Sequence, residues 1–387
     1  MSSRLCSSGE VSGAMTYNES MSVLAKFVSA FPPVNYLRLP TVGVDISDTS
    51  LKYVQFQPDP RSGRGLKLRQ WGDIDVPPDV INRGEILDPK ILAEKMEEVR
   101  RQTGVSYVRV SLPEEKAYLF ETDIKRDLEP KKVRGLLEFR LEENVPIAPR
   151  DAYFDYHIFD HRQDADSLTV SVTVYDRETI DRYYEICDRS GVMPLSFEVE
   201  AQAIARASVP PNDPGTYLIV DFGKTRTGIG IVHRGILTYT STIDIGGKEL
   251  SAALRRQLGD RPEAELTEFK NTQGLVRGVA DGAVYEALVT TMSAIKDEIA
   301  LRLEYWNQER HHDEDRYIEQ VILCGGSANL KGLPGYLTET LGIEARRAAV
   351  WQNAFSLDQT VPPIGLRYSY GYATAIGLGL TPYLTHL

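Results

Sequence analysis

Two aspartates follow apolar runs and precede turns rich in hydroxyl groups, and these residues have the clearest chemistry. Asp45 follows the run at 41–44 and precedes Ser47, and Asp221 follows the run at 217–220. A strand that breaks into such a turn and then returns directs N–H groups and hydroxyls at a phosphate, and holds a carboxylate beside its metal. Two such hairpins, about 176 residues apart, predict a duplicated fold that grips one nucleotide from both sides.

A third turn follows the apolar run at 321–324. Gly325 and Gly326 have no side chains, so the backbone can approach a flat purine closely. A helix that begins at this turn, with Ser327 near its start, would direct its N-terminal amides at the ligand. An ordinary strand-to-helix connection has a similar composition, but the order of the three turns favours a nucleotide site.

These three turns resemble the phosphate 1, phosphate 2 and adenosine motifs of the actin/Hsp70/sugar-kinase superfamily. Residues 198–205 and 371–379 are similar to its two connecting helices, whose small residues suit a close helix crossing. Within the superfamily the chain most resembles the PilM family of type IV pilus assembly, from about residue 40 onward. The implied fold is α/β and actin-like, with duplicated RNase H-like lobes and an inserted FtsA/PilM-type subdomain.

The resemblance implies that ATP and Mg²⁺ bind between the lobes, with Asp45 and Asp221 on the metal side. The other residues that it assigns to the nucleotide are Ser47, Thr49, Ser50, Lys52, Gly223, Thr225, Thr227, Gly246, Lys248, Glu249, Gly325, Gly326 and Ser327. A solvent-facing strand position explains Lys52 equally well. The family usually has glycine where this chain has Ser47, so we expect ATP binding with at most weak hydrolysis, and no catalytic residue is assigned.

The composition excludes several classes of protein. A net charge of −11 lacks the basic excess of a general nucleic-acid binder. The three cysteines have neither metal-ligand spacing nor an even number for disulfides, which indicates a reducing cytoplasm. No run of about 18 apolar residues predicts a transmembrane helix. The expected location is cytoplasmic, and the resemblance implies a peripheral place at the inner membrane through a partner.

Periodicity and turn residues divide the chain into regions. Residues 117–191 have the order strand–helix–strand–strand–helix, which matches the extra subdomain of FtsA and PilM proteins. The apolar face at 284–306 is more typical of a core helix than of a coiled coil. The predicted regions are 1–39 (disordered, with a short amphipathic helix at 22–31), 40–116 with 192–214 and 366–387 (first lobe), 117–191 (insertion), 215–247 with 318–365 (second lobe) and 248–317 (its subdomain).

The function implied by the resemblance is that of an ATP-binding scaffold in a type IV pilus machine. Its partner would be the N-terminal cytoplasmic tail of a PilN-like inner-membrane protein, alongside other pilus components and, as an open question, a ring or homo-oligomer. The alternative is an FtsA-like membrane-associated filament or cell-division protein. Such proteins usually carry an amphipathic C-terminal helix, and residues 381–387 lack that pattern. A sugar kinase would need an aspartate base, for which only Asp244 stays open.

Overall fold

The computed structural model describes residues 39–59, 65–159, 166–278, 282–309 and 316–384. The predicted N-terminal disorder, the helix expected at 22–31 and the turn of the hairpin expected at 59–65 lie outside these ranges, as do the last three residues. In the part of the chain that the structure describes, no helix is both long enough and apolar enough to cross a membrane.

Short turns divide the described chain into strands and helices. The strands are β1 (Thr41–Ile46), β2 (Ser50–Pro58), β3 (Leu66–Asp75), β4 (Ile81–Asn82), β5 (Glu85–Ile86), β6 (Tyr107–Leu112), β7 (Tyr118–Lys125), β8 (Ala152–Phe159), β9 (Ser167–Asp176), β10 (Met193–Val199), β11 (Thr216–Phe222), β12 (Thr227–His233), β13 (Ile236–Ile243), β14 (Ile318–Cys324) and β15 (Ala345–Arg347). The α-helices are α1 (Pro89–Thr103), α2 (Pro130–Asn144), α3 (Arg177–Arg189), α4 (Glu200–Ser208), α5 (Gly247–Leu258), α6 (Glu263–Thr272), α7 (Gly282–Glu309), α8 (Leu333–Leu341), α9 (Leu366–Ser369) and α10 (Ala373–Leu380). Residues 117–191 have the predicted order of elements, strand–helix–strand–strand–helix.

The two large sheets have the same topology. Each has three antiparallel strands followed by two parallel ones, in the orders β3-β2-β1-β6-β10 and β13-β12-β11-β14-β15. β1 and β11 therefore hold equivalent positions, and each carries its aspartate, Asp45 or Asp221, one residue before its end. The repeated order confirms the predicted duplication and defines a first and a second lobe.

Two helices cross between the lobes. α10 follows the second lobe in sequence but packs on β1 and β2 of the first, whereas α4 follows the first lobe and packs on β12 and β13 of the second. A Cβ atom at Gly377 would lie 1.7 Å from the carbonyl oxygen of Ala203. Only glycine fits at this contact, which agrees with the close crossing that the small residues predict.

A third, smaller core lies in the chain between β6 and α3. β7, β9 and β8 form an antiparallel sheet in that order, and the apolar face of α2 packs on it. We call this sheet and α2 the inserted module. The sequence assigned α3 to the insertion, but α3 buries Tyr183 and Ile186 in the core of the first lobe, against α1. We therefore propose that the module ends near Asp176 rather than Gly191.

The prediction of a helix that begins at the third turn is wrong. Gly326–Asn329 forms a single 3₁₀ turn, and α8 begins only at Leu333. Gly325 and Gly332 have φ of 82° and 79°, a left-handed conformation that bends the chain twice before the helix can start. The backbone of the third turn, and not a helix N-terminus, therefore faces the space between the lobes.

Candidate functional site

A polar cleft opens between the lobes at the ends of β1 and β11. Its volume is about 330 Å³. Most of the predicted nucleotide residues line it, namely Asp45, Ser47, Thr49, Ser50, Lys52, Asp221, Gly223, Thr225, Gly325 and Gly326. The predicted residues that the structure does not place in the lining are Thr227, Gly246, Lys248, Glu249 and Ser327.

Asp45 lies at the base of the cleft and is nearly buried. Ser111 on β6 donates a hydrogen bond to it, with 3.1 Å between Oγ and Oδ1. The antiparallel register of β1 and β2 places Lys52 opposite Asp45. Burial raises the pKa of Asp45, and the charge of Lys52 opposes that rise. A carboxylate in this setting is stabilised in its charged form by a further cation.

Asp221 holds the equivalent position on β11. Burial, and then the neighbouring charge of Asp45, raise the pKa of Asp221 to about 6. Gly325 approaches so closely that a Cβ atom there would lie 2.4 Å from Oδ1 of Asp221. Two like charges thus meet from the two lobes, which costs free energy unless a proton or a cation lies near them.

The first turn uses part of its hydroxyl chemistry within itself. Ser47 donates from Oγ to the carbonyl oxygen of Ser50 over 2.9 Å, and its backbone N–H donates to the same oxygen. Lys52 donates from Nζ to Oγ of Ser50, and its side chain is only 19% exposed. Lys52 therefore lies in the cleft and not at a solvent-facing strand position, while Ser47 stabilises the hairpin where the family usually has glycine.

Two of the predicted residues outside the lining hold the second turn from behind. Thr227 is buried and donates from Oγ1 to the carbonyl oxygen of Ile245 over 2.7 Å. Ser327 donates from Oγ to the carbonyl oxygen of Gly223 over 3.0 Å. Both hydroxyls therefore bind backbone carbonyl oxygens. Thr227 and Ser327 stabilise the turn, and other residues of the turn line the cleft.

The start of α5 supports the same turn. A Cβ atom at Gly246 would lie 2.6 Å from the backbone nitrogen of Arg226, so glycine is needed for α5 to pack against the turn. The side chain of Glu249 accepts a hydrogen bond from the N–H of Gly246 over 2.8 Å and caps the helix. The side chain of Lys248 is 62% exposed and lies outside the cleft lining.

Sequence reasoning missed six carboxylates in the cleft, among them Glu114 and Glu200. Glu114 is 3% exposed and has no hydrogen-bond partner of good geometry, although the Ala201 amide lies near it. Burial, and then the charges of Asp221 for Glu114 and of Asp45 for Glu200, raise the pKa of both well above the usual range. The only sequence signal for Glu114 is a Glu–Glu pair directly after an apolar strand.

Arg226 is the cation that crosses the cleft, and it too was missed. Its guanidinium lies 2.5 Å from Glu115 and 3.4 Å from Asp48. Thr225 beside it donates from Oγ1 to Oδ2 of Asp48 over 3.1 Å. Asp48 and Glu115 belong to the first lobe and Arg226 to the second, so these contacts join the two lobes across the site.

The lining is acidic on balance, which determines what ligand it accepts. Its carboxylates are Asp45, Asp48, Asp73, Asp75, Glu114, Glu115, Glu200 and Asp221, against the cations Lys52, Lys224 and Arg226. A polyphosphate alone would be repelled, whereas one that brings a divalent cation would be attracted. Among the described residues no three side chains form a ready-made metal site. Mg²⁺ in proteins usually combines one or two carboxylates with phosphate oxygens and water.

A family model described as "Type IV pilus assembly protein PilM" matches residues 43–383. The chain belongs to the PilM family. The match begins within β1 and spans both lobes and the inserted module, so membership rests on the whole architecture and not on one motif.

Solved structures show the same fold at low sequence identity. A chain of a PilM–PilN type IV pilus biogenesis complex has a TM-score of 0.70 and 20% identity, covering 89% of this chain and 99% of that one. MreB5 of Spiroplasma citri bound to ADP has a TM-score of 0.53 and 13% identity, covering 89% and 96%. The same protein bound to AMPPNP gives 0.52, 12% and the same coverage. The predicted actin-like fold is therefore confirmed for this PilM family member.

Proposed function

We propose that this chain is a nucleotide-binding scaffold of a type IV pilus assembly machine, which binds ATP with Mg²⁺ between its lobes and turns it over slowly or not at all. The observation that carries the proposal is the meeting of Asp45 and Asp221 in one cleft, from equivalent strands of two sheets with the same topology. The structures of MreB5 with ADP and AMPPNP belong to proteins of this fold and support the choice of ligand.

The residues of the cleft fit Mg·ATP. Asp45 and Asp221 would hold the cation, directly or through water, and the cation would neutralise phosphate charge. Gly223 and Gly325 line the cleft with backbone atoms alone, so the ligand can approach them closely. Lys52 adds a positive charge. Ser47 stands where the family usually has glycine, which supports slow turnover.

Calorimetry on the full chain tests the nucleotide. We expect saturable heat with Mg·ATP and little turnover on the same sample, far below the 1–1,000 per second of typical enzymes. An absence of both heat and thermal shift at millimolar Mg·ATP would refute the binding. Rapid hydrolysis would refute the scaffold role, and acceleration of ATP loss by a sugar or another small acceptor would point to a kinase instead.

We also propose that the partner is the extended cytoplasmic tail of a PilN-like membrane protein. The structural neighbour whose title names a PilM–PilN complex supports this choice. Among the edge strands of the described residues, β8 of the module and β10 of the first lobe each pair with a strand on one side only, so each could accept such a peptide. An unpaired edge offers N–H and C=O groups to an added strand.

Residues of the two edges are close enough for their charges to interact. Desolvation lowers the pKa of His157 on β8, and among the nearby charges are those of Glu198 on β10 and Arg206 on α4. His157 is nevertheless exposed. Met193 and Leu195 on β10 are 58% and 37% exposed and provide apolar anchors. Backbone pairing with apolar anchors should depend only weakly on salt.

Titration of a synthetic tail peptide from the organism's own PilN-like protein tests this surface. The matched proteins are the full chain and a variant in which residues 118–176 are replaced by a short linker, which leaves α3 in the first lobe. We expect binding to the full chain only. Equal affinity for both proteins would refute the assignment and favour an FtsA-like filament, which sedimentation of the full chain with Mg·ATP would reveal. If the tail binds as proposed, recruitment of the protein to the membrane, and to any ring of pilus components, depends on the tail.

A further inference from the structure

A buried ion pair joins the inserted module to the second lobe. Glu121 lies on β7 of the module, and Arg316 lies just before β14 of the second lobe. Arg316 Nη1 is 2.7 Å from Glu121 Oε2, and the two side chains are 1% and 4% exposed. The carbonyl oxygen of Arg316 also accepts a hydrogen bond from the indole of Trp306 on α7 over 2.9 Å, so the arginine is anchored in its own lobe.

Aromatic and polar contacts surround this ion pair. The Arg316 guanidinium lies 5.8 Å from the ring centre of Phe159 on β8, and that ring lies 6.1 Å from the ring of His233 on β12. Ser171 on β9 donates from Oγ to the carbonyl oxygen of Leu237 on β13 over 3.0 Å, in a buried position. All three strands of the module therefore contact the second lobe.

The module is also attached to the first lobe. The chain enters the module after Pro113 and leaves it at Asp176. Tyr175, next to the exit, donates from its hydroxyl to the carbonyl oxygen of Pro113 over 3.2 Å, so the two crossings lie side by side. Adjacent chain crossings of this kind act as a hinge, because a few residues at element ends can absorb a rotation.

We propose that the inserted module moves as one body with the second lobe, although the sequence inserts it into the first. Opening or closing of the cleft would then change the junction between the module, which carries β8, and the first lobe, which carries β10. This inference rests on the proposed function for its biological meaning, because that junction is the surface proposed for the tail. Nucleotide would thereby regulate tail binding by a mechanical route.

The buried ion pair gives this arrangement its stiffness. Separating two buried opposite charges removes their mutual attraction while both stay desolvated, which costs more free energy than a rotation at two adjacent chain crossings. A rotation that leaves the Glu121–Arg316 contact intact and bends the chain near Pro113 and Asp176 is therefore the easier motion. If the module moved with the first lobe instead, this ion pair would have to break.

Spin-label distances on the full chain test the proposal. Cys187 and Cys324 are buried, and Cys6 is replaced by serine. The labels replace Phe139 in the module, Leu301 in the second lobe and Leu87 in the first lobe, which are 67%, 59% and 50% exposed. With Mg·ADP, we expect the 139–301 distance to stay within about 1 Å, while 139–87 and 87–301 each shift by more than about 2 Å.

The opposite pattern would overturn the proposal. If 139–301 shifts with 87–301 while 139–87 stays constant, the module moves with the first lobe. If 87–301 does not change in protein that calorimetry shows to be saturated with Mg·ADP, there is no lobe motion to transmit and the proposed regulation is wrong.

A ligand-free comparison separates this inference from nucleotide binding. Without ligand, the 139–301 distribution should be narrower than the 139–87 distribution. The double variant Glu121→Gln/Arg316→Gln should broaden 139–301 until it matches 139–87, and thermal melting checks that this variant is folded. The control Glu185→Gln/Arg189→Gln removes an exposed ion pair on α3 and should change neither width. An unchanged 139–301 width in the folded Glu121/Arg316 variant would overturn the role of the ion pair, even if the protein binds no nucleotide.

Discussion

The carboxylate of Asp221 should lower the folding stability of the ligand-free protein although it contributes to Mg·ATP binding. Replacing Asp221 by asparagine separates these two effects. Its pKa in the folded protein is about 6, against an ordinary value of 3.8. Below pH 3.8 the group is protonated in both states and contributes nothing. As the pH rises through 3.8 to about 6, the unfolded chain loses this proton before the folded chain does, so the group increasingly destabilises the fold, with the full effect above about pH 6.

The magnitude follows from the pKa difference. Each pKa unit corresponds to about 1.4 kcal/mol, so the two-unit rise gives at most about 3 kcal/mol at pH 7.5 and about 1 kcal/mol at pH 4.5. Asp221 keeps some solvent exposure, which reduces the effect. We therefore expect Asp221→Asn to stabilise the ligand-free protein by about 1–3 kcal/mol at pH 7.5 and by less at pH 4.5.

Urea unfolding of both proteins at these two pH values measures the effect, and calorimetry with Mg·ATP on the same samples measures binding. The variant should bind Mg·ATP much more weakly in spite of its greater stability. Asp358→Asn, at an exposed position far along the chain, is the control and should change neither quantity. If Asp221→Asn destabilises the protein equally at both pH values and the folded fraction binds normally, Asp221 is a structural turn residue and the reasoning fails.

Three further perturbations follow from the structure. Arg226→Met should cost about 3–5 kcal/mol because it leaves Asp48 and Glu115 without their buried cation, and adding Glu115→Leu should recover most of that loss in urea unfolding; no recovery would contradict the ion pair. Gly377→Ala should lower the melting temperature and reduce the free energy of unfolding by at least about 1–3 kcal/mol. Gly135→Ala, with open space around it, should instead increase the free energy of unfolding by about 0.5–1 kcal/mol. Equal effects of the two substitutions would contradict the close helix crossing. Chelation of divalent cations should abolish ATP binding because the cleft is acidic, and unchanged calorimetric heat in EDTA would refute a role for Mg²⁺.

The sequence predicted the main features of the site because they are local. An apolar run, an aspartate and a hydroxyl-rich turn are contiguous in the chain, so Asp45 and Asp221 could be recognised and their duplication inferred. Glu114 could not, because a Glu–Glu pair after a strand usually faces water and only the packing of Gly228 against it shows that it is enclosed. Neighbouring residues of one motif also face different sides, which is why Thr227 supports the turn from behind while Thr225 lines the cleft.

The fold class could also be predicted from the sequence, because alternating apolar and polar residues and the turn residues between them mark most strands. The limits appeared where tertiary contacts decide. α3 follows the module directly in sequence, and nothing local shows that its apolar face packs on α1. The third turn has the composition of a helix start, but two left-handed glycines delay the helix to Leu333.

The exchange of helices between the lobes determines when the chain can finish folding during synthesis. β1 is among the first strands made, and Gly43 on it is covered by the backbone of Gly379, which a Cβ atom at Gly43 would approach to 2.4 Å. At about 5–20 residues per second, a ribosome needs between about 15 and 70 s for the roughly 330 residues between these two positions. Throughout that time the apolar face of β1 stays open, so the nascent first lobe is a natural client for chaperones. Premature termination before α10 would leave this face uncovered in the released chain, making it prone to aggregate.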